Sequence, residues 1–79
     1  MNQEMNFDQY LDCRNLSCPM PALQTKKALS RLSPGQVLKM VSTDPGFIND
    51  VKNWGIRTGN SILKTEVEDN AHIFFIQKN

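Results

Sequence analysis

The feature that most constrains this chain is the spacing of its apolar residues, which changes along the sequence. Segments with a two-residue period, the repeat of a half-buried strand, alternate with segments in which apolar residues recur every three or four positions, the repeat of a core-facing helix. Strand-type patterns cover residues 7–13, 37–42, 61–68 and 72–78. Helix-type patterns fill the first two intervals between them. The predicted order is therefore β-α-β-α-β-β.

The first predicted helix has one apolar face and a clear end. Pro34 and Gly35 stop it near Leu32, because proline cannot continue a helix and glycine tolerates the left-handed turn that follows one. Its apolar face is made of Ala22, Thr25, Ala28, Leu29 and Leu32.

The second predicted helix shows signals at both ends. Asp44 stands before a proline and is typical of an N-cap, and Gly59 marks the end. Phe47, Val51 and Trp54 recur at helical spacing, so their aromatic and aliphatic side chains are expected in the core rather than in a ligand site.

These elements predict an α+β fold, a two-layer α/β sandwich in which two helices cover one face of a four-stranded mixed sheet. Asp69 and Asn70 are typical of a tight hairpin between the last two strands. A length of 79 residues suits a single domain covering residues 1–79, with a loose segment at residues 1–6.

Charge and hydropathy argue against two classes of function. Nine Lys and Arg against eight Asp and Glu leave a net charge of +1, too small for a protein that grips nucleic acid or a membrane through charge. Residues 1–10 lack the basic and apolar stretches of a secretory signal. The longest strongly apolar run, residues 73–76, falls far short of the roughly 20 residues that cross a bilayer. We expect a cytoplasmic protein with reduced thiols and no membrane contact.

Cys18 is the residue on which chemistry can be argued. It stands at the predicted N-cap of the first helix, where the positive end of the helix dipole favours thiolate over thiol. Pro19 suits the first helical position and Pro21 removes another amide, which leaves the amides of Met20 and Ala22 near the sulfur. We predict a thiolate stabilised mainly by the helix field. The alternative is a capping cysteine of ordinary reactivity.

The spacing around Cys18 argues against a thioredoxin-type site. The position three residues later is Pro21 rather than a second cysteine, so no thiol in the helix can displace an adduct on Cys18. A sulfur atom attached as a persulfide would persist until the thiol of another protein removed it. This chemistry describes a carrier rather than an enzyme that turns over a small substrate.

The Cys-Pro-x-Pro block and many other positions resemble the TusA/SirA-like sulfur-carrier family. The resemblance runs from Leu11 to Lys78, nearly the entire chain. Its positions are Leu11, Asp12, Leu16, Cys18, Pro19, Pro21, Lys26, Lys27, Ala28, Leu29, Gly35, Thr43, Asp44, Pro45, Asp50, Trp54, Gly59, Ile76 and Lys78.

The resemblance implies a fold and a function. The implied fold is a two-layer βαβαββ sandwich, in agreement with the prediction from apolar spacing. The implied function is that Cys18 accepts persulfide sulfur from a cysteine desulfurase or a rhodanese-type donor and passes it to an acceptor protein with a reactive cysteine. The sulfur then serves tRNA thiolation, molybdenum-cofactor maturation or sulfur oxidation, and no cofactor is expected.

Cys13 departs from the family, in which a small residue such as alanine is usual. Its phase places it with Leu11 toward the core, so the simpler interpretation is a cysteine packed as a small hydrophobe. The alternative is a resolving thiol for Cys18, which would make the chain a small thiol redox protein.

Further residues near Cys18 have two interpretations. The basic ones form either a solvated face or a docking collar for acidic surfaces of donor and acceptor proteins. The apolar ones are either exposed contacts beside the sulfur or filling at the edge between helix and sheet. The residues are Arg14, Lys26, Lys27, Arg31, Met20 and Leu23.

Two further classes of function are disfavoured by the sequence. His72 stands in a strand without ligands at suitable spacing, so no metal site is expected. The other class is an RNA-binding or regulatory module, which is worth considering because the two-layer fold resembles a domain of a translation initiation factor. The near-neutral charge disfavours it, and no direct binding of nucleic acid is expected.

Overall fold

The computed structural model describes residues 6–17 and 19–79, so Cys18 and most of the predicted loose segment lie outside the described residues. The predicted order of elements and the α+β class are confirmed. The elements are β1 Gln9–Cys13, α1 Met20–Ser30, β2 Val37–Ser42, α2 Pro45–Thr58, β3 Ser61–Glu68 and β4 Ala71–Gln77.

The four strands form one mixed sheet in the order β1-β2-β4-β3. β1 runs parallel to β2, with Cys13 opposite Ser42, whereas β4 pairs antiparallel with both β2 and β3. A parallel pair needs a long crossover, and α1 supplies it. The carboxyl ends of β1 and β2 therefore share one end of the sheet with the first turns of both helices.

Both helices cover one face of the sheet, as predicted, and the main core lies between the two layers. The Phe47 ring packs edge-on against Trp54 and Phe74, with centroid distances of 6.0 and 6.2 Å, an arrangement that aromatic pairs favour. The core comprises Cys13, Ala28, Leu29, Leu38, Met40, Phe47, Val51, Trp54, Phe74 and Ile76.

The other face of the sheet carries a smaller apolar cluster, made of Val41, Ala71, Ile73 and Phe75. Long side chains shield it. The Lys39 amine lies 5.8 Å from the centroid of the Phe75 ring, so its aliphatic stem can cover apolar surface while its charge stays near water.

The two-residue period of residues 7–13 would put Phe7 on the core side with Leu11 and Cys13, and this prediction is wrong. β1 begins only at Gln9, so the two-residue period does not extend back to Phe7. The Phe7 ring instead packs on the opposite face, 6.4 Å from the ring of Phe75.

The two-residue period of residues 61–68 would put Ile62 and Lys64 on one face of the sheet, but a β-bulge at Leu63 separates them. Ile62 pairs with Ile76 on the helix side, whereas Lys64 pairs with Phe75 on the other face. Leu63 is the extra residue between them, and one extra residue reverses the phase of everything after it.

α2 and the hairpin follow their sequence signals. The Asp44 carboxylate accepts a hydrogen bond from the Phe47 amide at 2.9 Å, and Gly59 ends the helix with a φ of 78°. Asp69 and Asn70 take φ values of 48° and 65°, the left-handed pair that a two-residue hairpin requires. Within the described ranges, neither helix is long and apolar enough to cross a membrane.

Candidate functional site

The β1–α1 loop, which contains the cysteine motif, is anchored to the neighbouring β2–α2 connection. The Asn15 amide donates a hydrogen bond to Thr43 Oγ1 at 3.0 Å, and Asn15 adopts a φ of 67°, a region that asparagine tolerates. The Leu16 amide donates to the Cys13 carbonyl at 3.3 Å, and the Leu16 side chain packs on the core. The loop is therefore held just before the motif.

α1 begins one residue later than the sequence predicted. Its N-cap is Pro19 rather than Cys18, and Met20 is the first helical residue. The Met20 amide donates to the Ser17 carbonyl at 2.9 Å, and the first bond into the helix runs from the Leu23 amide to the Pro19 carbonyl at 3.1 Å. The Met20 amide, one of the two donors that the sequence leaves near the sulfur, is therefore already engaged by a turn ahead of the helix.

The two helix N-termini at this end of the sheet differ in charge. Asp44 places a carboxylate at the start of α2. At the start of α1, Pro19 has no side-chain oxygen, and the first turn contains no acidic residue. The positive end of the α1 dipole is thus not offset by a carboxylate within its own described first turn. Cys18 precedes this turn in the chain and lies outside the described residues, between the exposed residues Ser17 and Pro19.

Pro21 has a packing role that the sequence analysis missed. Its side chain is fully buried, and its carbonyl accepts a hydrogen bond from the buried Thr25 hydroxyl at 2.6 Å. The first turn of α1 is therefore fixed from the core side. The available signal was Thr25 itself, which stands one turn after the proline on the predicted core face.

Cys13 is a free thiol that is completely buried. Burial, and to a smaller extent the negative charge of Asp12, raise the pKa of the Cys13 thiol. A buried thiol that resists ionisation is a poor nucleophile, because the thiolate is the reactive form. These properties favour the interpretation of Cys13 as a packed hydrophobe.

Arg14 is engaged by an acidic neighbour. Its guanidinium donates to both carboxylate oxygens of Asp12, at 2.9 and 2.8 Å, and its backbone amide adds a third bond at 3.0 Å. Mainly through the side-chain hydrogen bond, Arg14 lowers the pKa of Asp12 to about 2. Both side chains remain about half exposed, so a docking partner of Arg14 would meet an ion pair rather than a lone cation.

The remaining basic residues do not gather around the start of α1. Arg31 follows the last residue of α1, which puts it about 16 Å along the axis from the first turn. Lys27 and Arg31 line a shallow groove beside β1, whereas Lys26 borders a different depression next to Trp54. The structure therefore spreads these charges along the outer side of the helix.

Met20 and Leu23 are the residues that the structure does bring to the surface beside the motif. They are 39% and 54% exposed and lie three residues apart, so together they form a small apolar patch at the start of the helix. Their position favours the interpretation of exposed contacts over that of filling between helix and sheet.

Ser42 lies between Cys13 and His72 in the strand register at this end of the sheet. Sequence reasoning missed Ser42, whose buried hydroxyl accepts from the Asp44 amide at 3.2 Å and so helps to set the start of α2. The His72 ring stacks on Phe74 at 6.3 Å. In the part of the chain that the structure describes, no three His, Cys, Asp or Glu side chains are grouped to hold a metal ion.

Comparison with known proteins shows which family this chain resembles. The model of the family described as Sulfurtransferase TusA matches residues 9–78. The sulfur carrier protein TusA of Allochromatium vinosum is 41% identical over 73 residues, which are 92% of this chain and 96% of the relative. A candidate sulfur carrier protein of Aquifex aeolicus is 45% identical over 76 residues, or 96% of this chain, but the chain spans only 39% of that relative's length.

A solved structure supports the fold. The SirA-like protein of Desulfitobacterium hafniense superposes with a TM-score of 0.72 over 89% of this chain and 95% of its own. Its sequence identity is 21%, so it speaks to the architecture alone. The family match over residues 9–78, together with the Cys-Pro-x-Pro motif at the start of α1, shows that the chain belongs to the TusA sulfurtransferase family.

Proposed function

We propose that this protein carries sulfur as a persulfide on Cys18, receiving it from one protein and delivering it to another. The observation that carries the proposal is family membership across residues 9–78, with Cys18 in the Cys-Pro-x-Pro motif. The sulfur carrier relatives that this chain covers nearly end to end support it. A cysteine desulfurase or a rhodanese-type protein is the donor we propose, and a protein with a reactive cysteine is the acceptor.

The transfer is an exchange that needs no external oxidant. The Cys18 thiolate attacks the terminal sulfur of the donor persulfide, the donor sulfur–sulfur bond breaks, and the donor cysteine leaves as a thiolate. The bond electrons of the donor go to its own sulfur, so the persulfide oxidation level moves intact to Cys18. Delivery repeats the step with the acceptor thiolate as nucleophile and Cys18 as the leaving thiolate.

The start of α1 suits a negatively charged sulfur. Its dipole presents a partial positive charge, and no carboxylate in its described first turn offsets that charge. Pro19 and Pro21 occupy the cap and the second helical position, and the buried Pro21 holds the turn against the core. We propose that the motif prolines position Cys18 and that the helix field favours its ionised form.

We further propose that donor and acceptor proteins dock on the first two turns of α1. Met20, Leu23 and Lys27 lie three and four residues apart, so they share one side of the helix, and all three are exposed. This surface combines two apolar side chains at the start of α1 with one positive charge a turn farther along the helix. Lys26, Arg31 and the Arg14–Asp12 pair would contribute at its margins.

Loading can be tested directly by mass spectrometry of the intact protein. Incubation with a cysteine desulfurase and cysteine should add the mass of one sulfur atom, and a thiol reductant should remove it. Cys18→Ser should abolish the gain. Cys13→Ala is the matched control, because it removes the other thiol, and it should load like the wild type. The absence of any reducible gain with several donors would refute the proposal.

The docking surface needs a separate measurement. Leu23→Ser should slow loading without unfolding the protein, because Leu23 is 54% exposed and contributes little to the core. Tyr10→Ser is the control, since Tyr10 is a large residue of β1 that is 48% exposed and lies with Lys39 on the face of the sheet away from α1. Equal loading rates for the two variants would remove α1 as the docking site and leave the carrier role intact.

The relay requires a compartment in which thiols stay reduced, and we propose the cytoplasm. Which pathway receives the sulfur depends on the acceptor. Tests with tRNA-thiolating, molybdenum-cofactor and sulfur-oxidising acceptor proteins would distinguish the three.

A further inference from the structure

The free edge of β3 is the surface of the described molecule that its proposed carrier function does not use. β3 is the last strand in the sheet order and pairs with β4 on one side, so its other side presents backbone donors and acceptors that can pair with another strand. Large apolar side chains are exposed along the same edge: Leu63 is 41%, Val67 66% and Ile56 75% exposed.

A groove next to this edge adds apolar surface. It lies between α2 and β3, has a volume of about 460 Å³, and is lined by residues that include Val51, Ile56 and Ile62. A strand added to β3 would lie beside the mouth of this groove. The edge and the groove together form one surface, which we call the β3 edge.

The charged residues Lys64 and Glu66 make β3 complementary to a second, antiparallel copy of the same strand. Lys64 and Glu66 both point to the helix-free face, because they pair with Phe75 and Ile73 of the cluster on that face. Within one chain the two side chains form an ion pair at 3.0 Å. Two copies of β3 running antiparallel can therefore place opposite charges directly across from each other.

Symmetry selects one register for such a pairing. A two-fold axis perpendicular to the sheet must pass midway between one residue and the copy of that residue directly opposite it. Centred on Lys64 or on Glu66, the pairing puts identical charges face to face. Centred on Thr65, it puts Lys64 opposite Glu66 of the second copy twice, and Leu63 beside Val67 of the second copy. Leu63 and Val67 are the exposed apolar residues of this strand.

The two outer registers lack this match. Centred on Leu63, Lys64 lies opposite Ile62, so the charge has no partner. Centred on Val67, Glu66 lies opposite Glu68 of the second copy, and like charges directly across two strands are destabilising. The register centred on Thr65 is thus favoured both by its charges and by its apolar pairs.

We propose that this protein forms a two-fold dimer through antiparallel pairing of β3 with β3 of a second copy, centred on Thr65, which joins two sheets into one of eight strands. The grooves of both copies then face each other across the axis. β1 lies three strands away from β3, about 14 Å at the usual strand spacing, so the pairing leaves the β1–α1 loop uncovered. A single strand pair buries a small area, and the dimer is therefore concentration-dependent.

Charge reversal tests the dimer and its register. Sedimentation of the wild type up to about 1 mM should show a monomer–dimer equilibrium. Lys64→Glu and Glu66→Lys should each weaken it by at least about tenfold, because each replaces two opposite-charge pairs with two like-charge pairs. Both side chains are partly exposed, so circular dichroism should confirm that the variants stay folded.

An equimolar mixture of the two variants gives the sharpest result. Lys64→Glu presents acidic side chains at both charged positions of β3, and Glu66→Lys presents basic side chains at both. Every cross-strand charge pair of the mixed dimer therefore joins opposite charges, so the mixture should dimerise although neither variant does so alone. Arg31→Glu, an equal charge change at the far end of α1, is the control and should dimerise like the wild type.

Three outcomes would overturn the proposal. The first is a wild type that stays monomeric at every concentration. In that case the charges of β3 prevent strand pairing at this edge, or the strand that pairs with it belongs to another protein. The second is a dimer that neither single variant weakens. The third is a mixture that fails to recover dimerisation. None of these outcomes bears on sulfur loading of Cys18, which is measured separately.

Discussion

The N-cap of α2 gives a quantitative prediction because its cap bond and its charge can be removed separately. Asp44 Oδ2 accepts a hydrogen bond from the Phe47 amide at 2.9 Å, which satisfies a donor that the helix itself cannot. Loss of such a cap costs about 1 kcal/mol, and a carboxylate at the positive end of the helix dipole adds about 0.3–1 kcal/mol. Asp44→Ala should therefore lower the free energy of unfolding by about 1.5 kcal/mol.

Thermal unfolding followed by circular dichroism measures this change. For a domain of this size, about 1.5 kcal/mol corresponds to a fall in Tm of about 6–12 °C. Asp44→Asn keeps a capping oxygen and loses only the charge, so its Tm should fall by about a third as much, and salt should shrink that difference. An asparagine variant as unstable as the alanine variant, or an alanine variant with an unchanged Tm, would contradict this role of Asp44.

Four further predictions follow from other features. Gly59→Ala should cost about 1–2 kcal/mol in urea unfolding, because Gly59 has a φ of 78° and a Cβ would lie 3.1 Å from Asn79 Nδ2; an unchanged midpoint would contradict this. Phe74→Ala should cost about 3–5 kcal/mol, since the ring is 1% exposed, and a smaller loss would mean that the core refills the cavity. The pKa of Asp12 is lowered to about 2 in the fold, so its ion pair stabilises the protein above about pH 4, and this contribution is lost as the pH falls toward 2. Wild type should therefore lose slightly more stability than Asp12→Asn across that window, and parallel pH profiles would show that exposure cancels the effect. Native protein should show no reaction of the Cys13 thiol with an aromatic disulfide until it unfolds, because the side chain is fully buried; rapid labelling of Cys18→Ser would disprove that.

Much of the fold could be predicted because local signals and burial agree. The helical spacing of Phe47, Val51 and Trp54, the cap at Asp44 and the glycine at position 59 all specify α2, and the structure follows them. The hairpin at Asp69 and Asn70 was predictable for the same reason, since few residues adopt two consecutive left-handed conformations without cost.

In β1 and β3, some side chains were assigned to the wrong face of the sheet because the strands are not as regular as their sequence patterns. Period-two phase assumes an uninterrupted strand, but β3 carries an extra residue at Leu63 and β1 does not reach Phe7. Ile62 and Lys64 therefore lie on opposite faces of the sheet, and Phe7 packs on the face opposite to the predicted one. The residue types at Leu63 and Phe7 do not indicate the bulge or the later start of the strand, because leucine and phenylalanine fit either side of a half-buried strand.

The geometry of the candidate site could be predicted only in part. The start of α1 lies one residue later than the motif predicts, and the Met20 amide donates to the Ser17 carbonyl ahead of it. The spacing of Lys26, Lys27 and Arg31 along the helix follows from their positions in the sequence, but which depression each borders depends on how α1 rotates against the sheet, and burial of Thr25, Ala28 and Leu29 sets that rotation.

The order of strands also determines when the protein becomes competent during its synthesis. β4 is made last but lies inside the sheet, between β2 and β3. Until residue 77 has left the ribosome, β2 and β3 have no shared neighbour and the aromatic ring of Phe74 is missing from the core. A nascent chain that already displays the β1–α1 loop is then still without its finished sheet, so the folded domain should form only after β4 has emerged from the ribosome.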